Sequence, residues 1–166
     1  MHTFLGVLTK WLEPKHTLRI SGMNVFGMAG HLIRRLNQLS TQVFMHRMQA
    51  AGYDLTPVQF AALDAIGATP GLDQASVAAR IAYDKATIGG VIDRLEQKGF
   101  VERSVSKSDR RAREVRLTND GAKAYDEILP IVKELQAEIL SGLEPEEQDQ
   151  FIRLATKAIS AAEASA

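Results

Sequence analysis

Arg110, Arg111 and Arg113 fall within four consecutive positions. Guanidinium groups crowded on one short segment are suited to phosphate, because each carries a permanent charge and a planar fork of donors. They belong to a longer basic stretch. From Lys98 to Thr118 the chain holds seven basic residues (Lys98, Arg103, Lys107, Arg110, Arg111, Arg113, Arg116) and three acidic ones (Glu102, Asp109, Glu114). The whole chain carries 20 Lys plus Arg against 20 Asp plus Glu, so its net charge is zero. From Glu134 to Asp149 there are six acids and no Lys or Arg. Charge segregated in this way creates a field with direction, and a polyanion is steered to its positive end. Arginines at a hairpin tip also suit the negative potential of a duplex minor groove. Asp109 is read as the partner of a neighbouring arginine that fixes the shape of the loop. Most charge runs are only solvated surface; this one directly follows a helix-turn-helix, and that position favours the nucleic-acid reading.

The helix-turn-helix is read from residues 73 to 98. Asp73 caps a short helix, Gln74 to Ile81, with Val77, Ala78 and Ile81 inward. A turn at Ala82 and Tyr83 leads to Asp84, the cap of a helix from Lys85 to Lys98 that Gly99 ends. Helical periodicity puts Ile88, Val91, Ile92 and Leu95 on its core face. The outward face carries Ala86, Thr87, Gly90, Asp93, Arg94 and Gln97, with Lys85 at its leading edge. Such a face enters the major groove N-terminus first. Thr87 suits a base or a thymine methyl, and Arg94 suits guanine or phosphate. Gly90 costs the helix roughly 1 kcal/mol relative to alanine, which makes sense where another backbone must come close.

A third set of residues lies on the first long helix. Leu32, Leu36, Leu39 and Val43 form an apolar stripe, and His31, Arg35, Gln42 and His46 line one edge of it, with Arg34 pointing away. Arg35 at that edge suits a carboxylate, and His31 a phenol or carbonyl. The alternative is a polar border of a subunit interface.

Several chemistries are excluded or disfavoured. The chain has no cysteine, hence no thiol nucleophile, thiol redox sensor or disulfide. His31 and His46 stand about 22 Å apart on one helix, so they cannot share an ion within a chain; no metal site or cofactor is expected. No phosphate loop, nucleophile elbow or His-Glu-x-x-His helix occurs, and no enzyme is expected. Residues 1 to 20 lack the build of a secretory signal, so the expected location is cytoplasmic without a membrane partner. A short amphipathic helix there, with Phe4, Leu8 and Trp11, is expected to end at Pro14.

The remaining elements must position these groups. Residues 23 to about 51 read as one long helix stopped by Gly52. Thr56 and Pro57 start a second, with Phe60, Leu63 and Ile66 buried, which Gly67, Pro70 and Gly71 break. Strands at 100–105 and 114–118 flank the basic loop. Thr118 or Asn119 caps a fifth helix, and Pro130 inside its pattern should kink it or mark its first third. Pro145 opens a sixth, with Phe151, Leu154, Ala158 and Ile159 inward. The long first helix and the last two carry more apolar surface than the small central unit can cover, so two chains are expected to pack through them.

The run from Leu55-Thr56-Pro57, through Leu95-Glu96-Gln97-Lys98-Gly99-Phe100-Val101 and Ser108-Asp109-Arg110-Arg111-Ala112, to Leu117-Thr118-Asn119-Asp120-Gly121 resembles the MarR family of bacterial transcription regulators. The likeness spans residues 23 to 162. It implies a mainly α fold with a small β-hairpin wing: a winged helix-turn-helix over 55–121, a helical dimerisation region over 23–54 and 122–166, and an N-terminal arm over 1–22. It also implies a homodimer on a pseudo-palindromic operator in double-stranded DNA, usually a repressor, released by a small effector bound between the dimer helices and the DNA lobe. By motif, Lys85, Thr87, Gly90 and Arg94 become recognition positions and Arg110, Arg111 and Arg113 the wing. Gln74 and Ser76 become phosphate contacts at a helix start. The segment Gly30 to Leu36 resembles regulators of aromatic-acid catabolism, which implies an aromatic carboxylate or its coenzyme A thioester held by Arg35 and His31. The rival readings are a winged module that binds protein rather than DNA, and a metal-responsive regulator.

Overall fold

The computed structural model describes residues 24–105 and 113–164. The N-terminal arm and the loop holding Lys107, Asp109, Arg110 and Arg111 lie outside the described residues. The described chain is mainly helical, with a small antiparallel sheet. In order it runs α1 (Ala29–Ala50), α2 (Pro57–Ala68), β1 (Leu72–Asp73), α3 (Gln74–Arg80), α4 (Ile88–Gln97), β2 (Val101–Val105), β3 (Arg113–Leu117), α5 (Asn119–Ile139) and α6 (Pro145–Glu163). Two compact units divide between Asn37 and Gln38, inside α1.

In the first unit the long helix starts later than its sequence suggests. Asn24 accepts the N–H of Phe26 at 2.9 Å and caps a short 3-10 turn, Val25–Gly27. Met28 is extended, and α1 begins only at Ala29.

The second unit holds the core. Leu55, Leu63, Ile66, Val77, Ile88, Ile92, Leu95, Val101, Val115, Ile128 and Leu135 are fully buried together, with Met48 from the end of α1. Local chemistry sets the element ends. Thr56 and Gln59 form a reciprocal capping box at the start of α2, with Pro57 at its first turn. Gly52 and Gly99 take φ of +80° and +76° and close α1 and α4. Phe60, half-buried on α2, stacks on Tyr125 of α5 at 5.8 Å between centroids. The Tyr125 hydroxyl donates to Asp64, and that carboxylate pushes the phenol pKa up to about 12. Arg47 bridges α1 to Glu134 and Glu138 of α5.

The sheet order is β1-β3-β2, with Leu72 opposite Val115 and Val101 opposite Leu117. β1 is two residues long, too short to show an alternation, and the sequence pattern does not reveal it. Thr118 joins the sheet to α5. Its hydroxyl donates to the Gly99 carbonyl at 2.6 Å and accepts the N–H of Gly121 at 2.9 Å. The Thr118 N–H donates to the Phe100 carbonyl at 3.1 Å.

α5 runs as one helix from Asn119 to Ile139 with Pro130 inside it, on its exposed side, where the proline has no N–H to give to the helical ladder. One further expectation is corrected. The apolar face of α6 does not point into its own chain. Phe151 is half-buried, but Leu154 is 58% and Ile159 59% exposed, and no α6 residue is buried. No helix among the described residues is long and apolar enough to cross a membrane.

Candidate nucleic-acid interface

α4 starts about one turn later than its sequence suggests. The Asp84 carboxylate accepts the N–H groups of Ala86 (2.9 Å) and Thr87 (3.0 Å), and its carbonyl accepts the Thr87 hydroxyl (3.1 Å). Asp84 therefore caps a turn, and α4 proper runs from Ile88. Competition between this side-chain-capped turn and helical pairing moves the boundary. Lys85 and Thr87 stand exposed in the turn, ahead of the helix rather than on it. Gly90 and Arg94 are exposed along α4, while Ile88, Val91, Ile92 and Leu95 are buried as the periodicity predicts. A Cβ on Gly90 would meet nothing within 4 Å, so nothing inside the described chain requires a glycine there.

Arg94 lines a cleft of about 390 Å³ with Asp54, Thr56, Gln59, Gln97 and Lys98. Lys98 and Asp54 pair at 2.5 Å, and that bond holds the Asp54 carboxyl below the usual range. Arg94 makes no ion pair among the described residues.

Gln74 and Ser76 stand at the start of α3, as predicted, but both are already engaged. The Ser76 N–H donates to the Asp73 carboxylate at 2.7 Å. This bond first, then the Ser76 hydroxyl and more weakly Lys85, hold the Asp73 carboxyl below its ordinary value. The Gln74 carboxamide oxygen faces Arg103 and accepts from Nη2 (2.7 Å) and Nε (2.9 Å).

Arg103 is the residue whose role the sequence conceals. It belongs to the basic stretch, yet its side chain is only 13% exposed and turns inward from β2. It pairs with Asp93 and Glu96, one turn apart on α4. The other described cations of the stretch divide. Lys98 is held by Asp54, and Arg116 pairs with Glu114 at 2.6 Å. Arg113 stands exposed at the start of β3, opposite Val105, without an ion pair among the described residues. Among the described residues the cations open to a polyanion are thus fewer than the count of basic residues: Arg113 at the start of β3, Arg94 on α4 and Lys85 in the turn before it. The signal for Arg103 is a spacing: carboxylates at 93 and 96 stand one helical turn apart, followed by an arginine on the adjoining strand.

In the first unit the His31 ring meets Phe26 edge-on, with centroids 5.2 Å apart. Arg35 is exposed one turn further on and makes no ion pair among the described residues. Gln42 and His46 are exposed and belong to the second unit. Among the described residues no three His, Cys, Asp or Glu are grouped so that they could hold a metal ion.

Comparison with known proteins places these features in context. A sequence profile of the MarR family matches residues 53–112. The transcriptional regulator HosA of Escherichia coli O157:H7 is 33% identical over 135 residues, covering 81% of this chain and 97% of that protein. The HTH-type transcriptional repressor NicR of Pseudomonas putida is 31% identical over 140 residues, covering 84% of this chain and 87% of that one. Among solved structures, Bordetella bronchiseptica BpsR, whose DNA binding is regulated by 6-hydroxynicotinic acid, superposes with a TM-score of 0.74 at 29% identity, over 82% of this chain and 96% of its own.

Proposed function

Since the chain belongs to the MarR family of transcriptional regulators, we propose that it is a homodimeric repressor that binds a pseudo-palindromic operator and is released by an aromatic carboxylate or its coenzyme A thioester. The observation that carries the DNA reading is the exposed front of α4. Lys85, Thr87, Gly90 and Arg94 stand open there above a fully buried apolar face. With Arg113, and with Arg110 and Arg111 from the loop, they form the base-reading and wing contacts. Gln74 and Ser76 border this surface. The winged DNA-binding region is residues 55–121, and residues 23–54 with 122–166 serve dimerisation.

The dimer reading is supported by apolar surface within each unit. Val25, Phe26, Leu32 and Ile33 are exposed in the first, and Ile152, Leu154 and Ile159 in the second. Two copies related by a two-fold axis cover such faces and set two half-sites about one helical turn of DNA apart. The effector reading rests on Arg35 and His31 and on the carboxylic acid that acts on BpsR. Repression is the action NicR's name assigns to that relative.

The test is recovery of bound fragments from the host genome, followed by titration of one recovered duplex across salt. The logarithm of affinity is expected to fall with a slope of roughly −0.9 per phosphate neutralised. A partner bound without salt dependence, and no fragment preferred over bulk DNA, would overturn the assignment in favour of a protein-binding module. Adding 6-hydroxynicotinic acid, benzoate-type acids and their thioesters to the complex then tests release.

A further inference from the structure

Asp93 poses an electrostatic problem for the proposed DNA-binding surface. It lies on the outward face of α4 beside Arg94, where a carboxylate repels phosphate, and Glu96 stands one turn on. Arg103 faces both. Its Nη2 donates to Asp93 and its Nη1 to Glu96, while Nη2 and Nε also donate to the Gln74 carboxamide oxygen. All three guanidinium nitrogens are occupied, and the side chain is largely shielded from water by β2, α3 and α4. A planar cation held by three acceptors from two helices keeps one geometry, unlike a lone surface pair. The occupied donors leave Arg103 poorly placed to serve phosphate itself.

We infer that Arg103 is a positioning and charge-masking residue for operator binding: its single charge offsets half of the charge that Asp93 and Glu96 carry together, and it ties β2 to both helices of the helix-turn-helix. This rests on the DNA-binding reading above and adds a role for a wing-strand arginine that does not touch the duplex. It also accounts for acids on the reading helix of a DNA-binding protein.

The experiment measures affinity and salt slope on a mixed-sequence duplex and on a genomic fragment that the parent recovers. Arg103→Met is expected to weaken binding on the order of tenfold, the combined effect of two repulsions each the size of a surface ion pair. Adding Asp93→Asn and Glu96→Gln to that variant is expected to restore affinity to the parental value or above it, with the salt slope unchanged throughout. With Arg103 kept, the same two neutral substitutions are expected to tighten binding severalfold; this arm remains informative if Arg103→Met fails to fold. Parental affinity in Arg103→Met, or an unrestored triple variant, overturns the inference. In the unrestored case, a slope smaller by roughly 0.9 identifies Arg103 as a direct phosphate contact, and an unchanged slope with a lowered melting temperature identifies a packing role alone. A parent that binds neither duplex at any salt overturns the DNA reading, and this inference with it.

Discussion

A Cβ atom on Gly121 would stand 1.8 Å from the carbonyl oxygen of Phe100. The obstacle is backbone, and that same carbonyl accepts the N–H of Thr118, so neither side gives way cheaply. Gly121→Ala is expected to destabilise the fold by about 2 kcal/mol or more, at the high end of overpacking costs. Urea unfolding checks this; a midpoint equal to the parent's refutes it.

Gly90 presents the opposite case. It lies inside α4 with open space around it, so alanine there should stabilise the helix by about 0.5–1 kcal/mol. If a DNA backbone approaches at that point, the same methyl group obstructs it. Gly90→Ala is therefore expected to melt at a higher temperature and bind its operator more weakly. Thermal unfolding and fluorescence anisotropy on one preparation test the pair of effects; higher stability with unchanged affinity removes Gly90 from the interface.

Acid should loosen the start of α3. The Asp73 carboxyl is held below its unfolded value, first by the Ser76 N–H. Its contribution is complete above the unfolded pKa of about 3.9 and is lost as pH falls through the lower folded value. The stability difference between the parent and Asp73→Ala is expected to be full at neutral pH and to shrink toward pH 3, roughly. Denaturant titrations at the two ends measure it; a gap that widens in acid contradicts the assignment.

Leu154 and Ile159 project from α6 into solvent in the single chain. Replacing either with glutamate should cost the isolated chain little, because no packing is lost. In a dimer it places charge in an apolar contact. Leu154→Glu and Ile159→Glu are each expected to sediment as monomers at micromolar concentration and to lose operator binding. Dimers that persist in both variants exclude this face of α6 as the interface.

Arg35→Ala is expected to abolish calorimetric binding of any aromatic carboxylate that binds the parent, while affinity for the operator without effector stays within about twofold, as for an exposed side chain without an ion pair among the described residues. An undiminished heat of binding would remove Arg35 from the effector site.

The elements that sequence predicts well are those whose ends are set by neighbours in the chain. Thr56, Pro57 and Gln59 carry a capping box within four positions, and Thr118 caps α5 by accepting the N–H of Gly121 three positions on. The buried face of α4 follows from period alone. What escapes the sequence depends on contacts across the fold or on local competition. The exposure of α6 becomes visible only when a single chain is packed. The delayed start of α4 reflects Asp84 bonding to two N–H groups, and capping residues signal a turn and a helix start equally well. Arg103 and Arg113 have the same chemistry and stand ten positions apart. Only the packing of β2 beside α4 assigns one to carboxylates and leaves the other open.

One hydroxyl, that of Thr118, fastens the close of α4 at Gly99 to the beginning of α5 at Gly121. That leaves no slack between the two. α5 is a rod roughly 30 Å long, and a tilt of only a few degrees about its far end sweeps the near end through an ångström or more. Whatever leans on that distal end holds a lever whose short stroke carries through Thr118 to the close of α4.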